Sequence, residues 1–511
     1  MSHSCFSSIS GSLRSIFTSS STSKKSKESN LPEQPAPSTQ KTQPQHLAKS
    51  ACLSTTDKPS TNTATNSSPK MPHSVSSNEG DAAAATPSAP PFHIAIIGAG
   101  IGGLTFAIGC RKKNVSYTLY EAAAKYSTVG AGVGLGPNAL NALHMIDPKL
   151  RTMYSDISSG NLTPNKDHVM MDALYAEPNF GEDRGWVPAP FGASSYDRTS
   201  AHRVDLLNIL TSMIPAETVR FNKRVKSIDQ GAPGSKVTVV FEDGDVVQAD
   251  AVVGSDGAKG PTRGFVLGDR WPDEVKATYS GKYVYRSIVP MADALQILGH
   301  HAGDAESFLG KDVNFITFPI SRGAFCNLVA FKFTRGQPWT HDQWTKRVTK
   351  EQMVADFGGG GVDPRLVRLL DWADPLQWSL HHHMTTPSYC NDRICLLGDA
   401  AHATTPHQAA GAGQCIEDAL VLSHILGQLT SAAGLARAFA VYDSLRRPRA
   451  QQVVRTSQEA GELYSFNHAE CGDDMDKIVA NFRQRFLWIW EHDLHADLAA
   501  ADEQLKAVLS Q

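Results

Sequence analysis

The sequence predicts an α/β fold: a parallel sheet with helices on its faces, interleaved with a second, mostly antiparallel sheet and closed by a helical C-terminus. Three observations predict it. A short apolar run at 93–97 leads through a glycine-rich turn into a helical stretch at 102–110, and a strand-like run follows at 116–120, the start of a βαβ unit. Residues 271–385 are rich in β-formers and aromatics, as a second sheet requires. Helical patterning then runs from 413 to about 431 and from 435 to about 464.

Along the chain, residues 1–90 come first, and Ser, Thr, Pro, Ala, Lys and Gln dominate them. With only Phe6 and Phe17 as aromatics, this segment buries too little apolar surface to offset its ordering entropy, so it is expected to be a disordered tail. Its first 27 residues carry Arg14, Lys24, Lys25 and Lys27 and no acid, a composition similar to a mitochondrial transit peptide. A plain tail and a cytoplasmic location are expected, with mitochondrial import as the alternative. Folding is expected to begin at Pro91. Residues 236–241 and 246–253 flank Asp243-Gly244 and read as a hairpin. Residues 393–397 read as a further buried strand. The run Phe486-Leu487-Trp488-Ile489-Trp490 is far short of the ~20 residues that span a bilayer and reads as a helix segment packed on the core.

With 511 residues, 41% of them apolar, the chain can bury a large core, and its net charge of −3 gives no electrostatic reason to expect nucleic acid or an anionic membrane. The eight cysteines are scattered without a CxxC pair, which reads as reduced thiols rather than a metal site or a disulfide framework. Nothing in the sequence fixes an oligomeric state.

Gly98, Gly100 and Gly103 form a G-x-G-x-x-G turn between the first strand and its helix. Gly98 permits the tight turn, Gly100 lets a pyrophosphate approach the backbone, and Gly103 allows close helix–strand packing. The phosphates would sit on the helix N-terminus, where free N–H groups and the dipole favour negative charge. Glu121, 23 residues after Gly98, ends the next strand where a carboxylate meets ribose hydroxyls. This motif alone does not separate a flavin from a nicotinamide dinucleotide.

Further segments carry a resemblance that does. Gly254-Ser255-Asp256-Gly257 follows a predicted strand, with Arg263 downstream. Gly398-Asp399-Ala400-Ala401-His402 is followed by Pro406 and by Ala410-Gly411-Ala412-Gly413 at a predicted helix start. Gly130 to Asn138 reads GAGVGLGPN, and Arg203 precedes a helical stretch. Together these resemble the aromatic-hydroxylase class of FAD monooxygenases (group A), nearest its fungal salicylate hydroxylase-like members, over residues 92 to about 465. Softer matches are 281–286, 315–319 and 442–449. Gly260 stands where the class has a serine.

The resemblance implies a Rossmann-type FAD-binding domain at 91–270 and 386–430, with insertions. It implies a substrate-domain sheet at 271–385 and C-terminal helices at 431–511. Asp256 would reach the pyrophosphate and the passing nicotinamide cofactor. Asp399 would bind the ribityl chain, and Gly134 would contact the ring. Arg203 would bind FAD, and Ala412 and Gly413 would present a helix N-terminus to the flavin's electron-rich edge. Glu417-Asp418 reads as ordinary helix-dipole acids without a catalytic role. His402, His407 and His381-His382-His383 read as structural or flavin-adjacent rather than as metal ligands, so no metal is expected.

The implied reaction is hydroxylation of a small aromatic acid such as salicylate. NAD(P)H and O2 would be co-substrates, and a flavin hydroperoxide would deliver the oxygen. Tyr285 and Arg286 are the substrate-side candidates, Tyr285 for a phenol proton and Arg286 for a carboxylate. Adjacent strand residues point to opposite faces, so at most one of the two enters the pocket. Two alternatives stay open: a biosynthetic flavin monooxygenase acting on a larger fungal aromatic, and a non-catalytic FAD-binding protein. A flavin halogenase is discounted, because Trp488-Ile489-Trp490 lies at the wrong end of the chain and continues Glu491-His492-Asp493.

Overall fold

Ile94, Ala95, Ile96 and Ile97 are all at most 3% exposed, as a parallel strand covered on both faces must be. They form the strand His93–Ile97, which pairs in parallel with Ser116–Tyr120 on one side and Ala251–Gly254 on the other. The computed structural model describes residues 91–511 except 128, 129, 233, 335 and 360. The expected tail at 1–90 and its transit-like start lie outside the described residues. The full spatial order of this six-stranded sheet is Cys390–Asn391, Ile394–Leu396, Ala251–Gly254, His93–Ile97, Ser116–Tyr120 and Val219–Arg220. The helices α1 (Ile101–Lys112), α2 (Gly411–Leu426) and α3 (Leu435–Tyr464) pack beside it.

The run expected as one strand at 246–253 is two. Val246–Ala249 closes the expected hairpin with Val237–Phe241, while Ala251–Gly254 leaves it for the parallel sheet. Asp250 makes the break: its carboxylate accepts from the His93 backbone N–H at 2.7 Å and from Lys236 Nζ at 3.0 Å, tying the corner to both sheets.

The second sheet has eight strands, in the order Thr345–Arg347, Leu376–His382, Thr278–Pro290, Phe325–Phe333, Val313–Ile320, Glu306–Gly310, Val169–Tyr175 and Ala189–Gly192. All neighbours are antiparallel except Glu306–Gly310 with Val169–Tyr175. The last two strands come from outside 271–385, so the sheet recruits a segment from the region expected to form the other domain. Its front face meets α3 and the helices Met475–Arg485 and Leu487–Trp490, the last carrying the expected packed aromatic run. Its back face is covered by Met291–Leu298, Lys350–Ala355 and Pro364–Arg368. Among the described residues no helix is long and apolar enough to cross a membrane.

The helices are joined by a buried ion network. Arg446 on α3 donates to Asp418 Oδ1 (2.9 Å), Glu417 Oε2 (2.6 Å) and Gln414 Oε1 (2.8 Å) on α2, and Arg446, Glu417 and Asp418 are all 0% exposed. Arg449 adds a bidentate pair to Glu417 (2.8 and 2.9 Å). Burial alone raises both carboxyls, but the guanidiniums, and His402 in the case of Asp418, outweigh it and hold each at about 2.

Two outcomes follow for stability. Arg446→Met, which removes the cation shared by two buried carboxylates, is expected to cost about 3–5 kcal/mol, read from the denaturant midpoint. Both folded-state carboxyls lie below the ordinary values of about 4. Their contribution is therefore present above about pH 5 and lost as pH falls toward 2. Melting temperature should fall across that window, and the Glu417→Gln variant should start lower and fall less steeply.

Candidate functional site

A cleft of about 560 Å³ opens where the C-terminal ends of the parallel strands, the N-termini of α1 and α2 and the front of the eight-stranded sheet converge. Its lining includes Gly98, Gly100, Glu121, Gly134, Arg203, Asp256, Arg286, Asp399 and Ala412. The structure thus brings together nine residues proposed from widely separated segments.

At the first turn, Gly98 has φ +101°, and a Cβ there would lie 2.4 Å from the Ser255 carbonyl oxygen. Gly103 lies off the cleft, where a Cβ would meet the Gly98 carbonyl oxygen at 2.0 Å, so it fits the packing role. Around Gly100 a Cβ would meet nothing within 4 Å, leaving a free approach to the N-terminus of α1. No side chain caps that helix and its first turn holds no acid. Glu121 Oε2 accepts from Ala99 N and Oε1 from Ala123 N, both at 2.8 Å. The acid therefore braces the glycine turn, and each oxygen keeps a lone pair for a hydroxyl.

Asp256 lies two residues beyond the strand Ala251–Gly254. Its Oδ2 accepts from Thr262 N (2.9 Å) and Thr262 Oγ1 (2.6 Å), while Oδ1 is buried without a partner. Burial raises this carboxyl above its ordinary range. A Cβ at position 260 would lie 2.1 Å from Asp256 Cγ, which accounts for glycine where the family has serine.

Another part of the cleft lining is built from backbone. Gly134 lies on the strand Gly132–Gly134, paired with Ser200–His202 directly before Arg203. Asp399 projects into the cleft; enclosure by protein raises its carboxyl, against the opposing pull of His402 and Arg203. Its corner is fixed from behind by Asp418 Oδ2, which accepts from Gly398 N (3.0 Å) and pairs with His402 Nε2 (2.5 Å). Glu417 and Asp418 are therefore not first-turn dipole acids, since α2 starts at Gly411 and has no acid in its first turn. Ala412 lines the cleft, but Gly413 does not: it packs on the helix Pro137–Ile146, where a Cβ would sit 3.2 Å from Ala139 Cβ. No side chain caps α2.

On Thr278–Pro290, strand alternation separates the two substrate-side candidates. Arg286 projects into the cleft with its guanidinium 5.4 Å from the Trp378 ring centre. Protein enclosure and the facing Arg203 lower its pKa, but a guanidinium stays charged. Tyr285 is a correction: it is 0% exposed behind the sheet, donating to Asp356 Oδ2 at 2.6 Å and accepting from Gln377 Nε2 at 3.0 Å. Tyr283 donates to the same Asp356 oxygen at 2.7 Å, so the pair pins the strand from the back.

The reading of the sequence missed the apolar wall of the cleft: Met171, Ile316, Phe318, Val329 and Phe331. Most of their sequence neighbours are apolar too, as in Phe315 and Leu328, so no polar alternation marked which side chains face the cleft. Among the described residues, the carboxylates close enough to share a metal ion are Asp172, Asp304 and Glu306, and Lys166 Nζ already bridges the first two at 2.5 and 2.8 Å.

These groups fit FAD. Gly100 opens the way to an uncapped helix end for the pyrophosphate, and Glu121 offers acceptors for ribose. Asp399 faces the cleft as a further acceptor, and the Gly132–Gly134 backbone gives a flat ring close approach.

Comparison with known proteins agrees. The model of a family described as FAD binding domain matches residues 92–457. An FAD-dependent monooxygenase of Gibberella moniliformis is 39% identical over 432 residues, 81% of this chain and 97% of its own length. A 6-methylsalicylate 1-monooxygenase of Aspergillus terreus is 36% identical, over 78% of this chain and 89% of its own. A solved salicylate hydroxylase in complex with substrate superposes with a TM-score of 0.71 at 30% identity, covering 81% of this chain and 98% of that one.

Two glycine variants separate fold from cofactor. Gly103→Ala should prevent or severely weaken folding, read as loss of soluble protein or a large drop in melting temperature. Gly100→Ala should cost the FAD-free protein under about 1 kcal/mol, yet weaken FAD at least tenfold in a fluorescence titration. Tyr285→Phe should lower stability by about 1–2 kcal/mol and leave aromatic affinity unchanged, measured by melting and by flavin absorbance titration.

Proposed function

The chain belongs to the FAD binding domain family and is a flavoprotein monooxygenase, and from that premise we propose that it hydroxylates a small aromatic acid of the salicylate type, with NAD(P)H as reductant and O2 as oxygen donor. One observation carries the choice of substrate: Arg286, a cation aimed into the cleft, stands in the apolar wall of Ile316, Val329 and Phe331. That wall clamps an aromatic ring, and the guanidinium holds its carboxylate by paired charge-assisted hydrogen bonds. Arg203 adds a second positive charge at the cleft. The relatives named for salicylate and 6-methylsalicylate support the same ortho-hydroxybenzoate chemistry.

When bound, FAD supplies the electron transfer from NAD(P)H and the activation of oxygen. The protein's own contribution is placement. The uncapped N-terminus of α2 at Ala412 favours negative charge at the cleft. The apolar wall keeps bulk water from the reacting face. Glu121 offers acceptors at the far, adenosine end of the dinucleotide, and Asp256 stands toward its pyrophosphate.

The test is oxygen uptake and NAD(P)H oxidation by the FAD-loaded enzyme, with salicylate, 6-methylsalicylate and other benzoates, and product analysis. An aromatic acid should accelerate both, with a hydroxylated product. Arg286→Met should retain FAD while raising KM for the acid at least tenfold, and Arg286→Lys should recover part of it. If small acids do nothing while a larger phenol triggers turnover, the substrate is a larger aromatic metabolite. If no aromatic accelerates oxidation, the hydroxylase reading is wrong.

A further inference from the structure

Cys390 and Cys395 face each other across the hairpin at one edge of the six-stranded sheet. The outermost strand Cys390–Asn391 pairs antiparallel with Ile394–Leu396, and the two cysteines are direct partners in that register. Asp392-Arg393 forms the turn between them, with Asp392 at φ +50°. Leu396 N donates to Tyr389 O at 2.7 Å, so Tyr389 and Leu396 are a hydrogen-bonded pair. Such pairs alternate along an antiparallel ladder. Cys390 and Cys395, one step on, are therefore a non-hydrogen-bonded pair, the closer kind, with Cα atoms about 4.5 Å apart.

Residues directly opposite in a ladder project from the same face. Here that face is turned to α3, whose Asp443 carboxylate acts on both thiols and raises each. A disulfide spans Cα separations of roughly 4.4–6.8 Å, so rotation of the two side chains suffices to bridge this pair. The separation lies at the short end of that range, where the bond is strained and easily reduced. Both residues are free thiols in the structure. They differ in access: Cys395 is 0% exposed, whereas Cys390 is half-buried and open to a small oxidant.

We propose that Cys390 and Cys395 are a modification site, a dithiol that hydrogen peroxide closes to a reversible cross-strand disulfide. The Cys390 thiolate attacks one peroxide oxygen and the O–O bond breaks. Cys390 becomes a sulfenic acid, and the departing hydroxide takes up the thiol's proton to leave as water. The Cys395 sulfur then displaces the sulfenic hydroxyl, which leaves with the Cys395 proton as a second water. Two thiols are oxidised to one disulfide and one peroxide is reduced to two waters. The bond staples the edge strand to the strand that ends at Leu396, three residues before Asp399.

Burial pushes the Cys390 thiol up to about 11, with Asp443 adding to it and the Ser388 hydroxyl and Arg447 opposing. Burial, Cys390, Asp443 and Asp418 raise Cys395 further. The thiolate is the nucleophile, so closure is slow at neutral pH and should speed up about tenfold per pH unit to about pH 10.

The test uses the FAD-loaded full chain carrying Cys5→Ser and Cys52→Ser, treated with hydrogen peroxide at about pH 8.5 and mapped by non-reducing trypsin digestion and mass spectrometry. Cleavage after Arg393 separates the two cysteines unless a disulfide joins them. The two peptides should stay linked, and dithiothreitol should release them. The linked protein should keep its FAD and melt no lower than the reduced protein. Cys395→Ser should stop at a sulfenic acid on Cys390, trapped by dimedone. Separated peptides with Cys390 carried on to the sulfinic acid overturn the proposal. So does a Cys390 that stays a thiol after the half-buried Cys471 has reacted, or a link that forms only with loss of FAD and of the melting transition.

Discussion

Arg446 is the residue on which the geometry of the cleft depends. It sits midway along α3 with no exposed surface and joins Glu417 and Asp418 of α2, themselves fully buried. Through Asp418 the network reaches the backbone of Gly398 and the ring of His402. Through Glu417 it reaches Asn138 Nδ2 (2.6 Å) and Arg449, which in turn holds the carbonyl oxygens of Trp488 (3.2 Å) and Ile489 (3.0 Å). Four separate segments are thereby fixed around the middle of α2. Such networks are weak evidence for net stability, because desolvation offsets much of the attraction. Their value here is register: apolar residues tolerate sliding, whereas two carboxylates facing two guanidiniums admit one arrangement.

That register sets the electrostatics of the cleft. α1 and α2 both present uncapped N-termini toward it, and Arg203 and Arg286 line it. Helix N-termini and guanidiniums suit a pyrophosphate and an aromatic carboxylate. The cleft also holds three acids: Glu121 and Asp256 are each engaged by backbone N–H groups of their own turns, and Asp399 faces the cleft.

The eight-stranded sheet divides two environments with one strand. On Thr278–Pro290, Arg286 faces the cleft while Tyr283 and Tyr285 face backward onto a shared carboxylate oxygen of Asp356. The rear bonds hold the strand, and the strand presents the guanidinium. Neighbours in sequence thus do separate work, and a Tyr-Arg pair that looks like one site is two.

The sequence by itself determined whatever depends on neighbours a few residues apart. A strand, three spaced glycines and a helix specify a phosphate-binding turn, because only residues without a Cβ fit at Gly98 and Gly103. Asp399 and Ala412 were legible through the resemblance to a known family, whose motif sits at a strand end and a helix start. Tertiary structure alone decided the rest, for reasons of phase and distance. A period of two gives alternation but not which face is buried, so Arg286 and Tyr285 were separable only once the sheet was packed. Val169–Tyr175 pairs with Glu306–Gly310 across more than a hundred residues, a separation no local pattern bridges. Glu417 and Asp418 look like dipole acids until α3 delivers Arg446 to them from 28 residues downstream of Asp418. Gly413 follows a cleft residue by one position, but the helix turns it onto Ala139. In each case a local pattern restricts what a side chain can do, and a partner distant in sequence decides what it does.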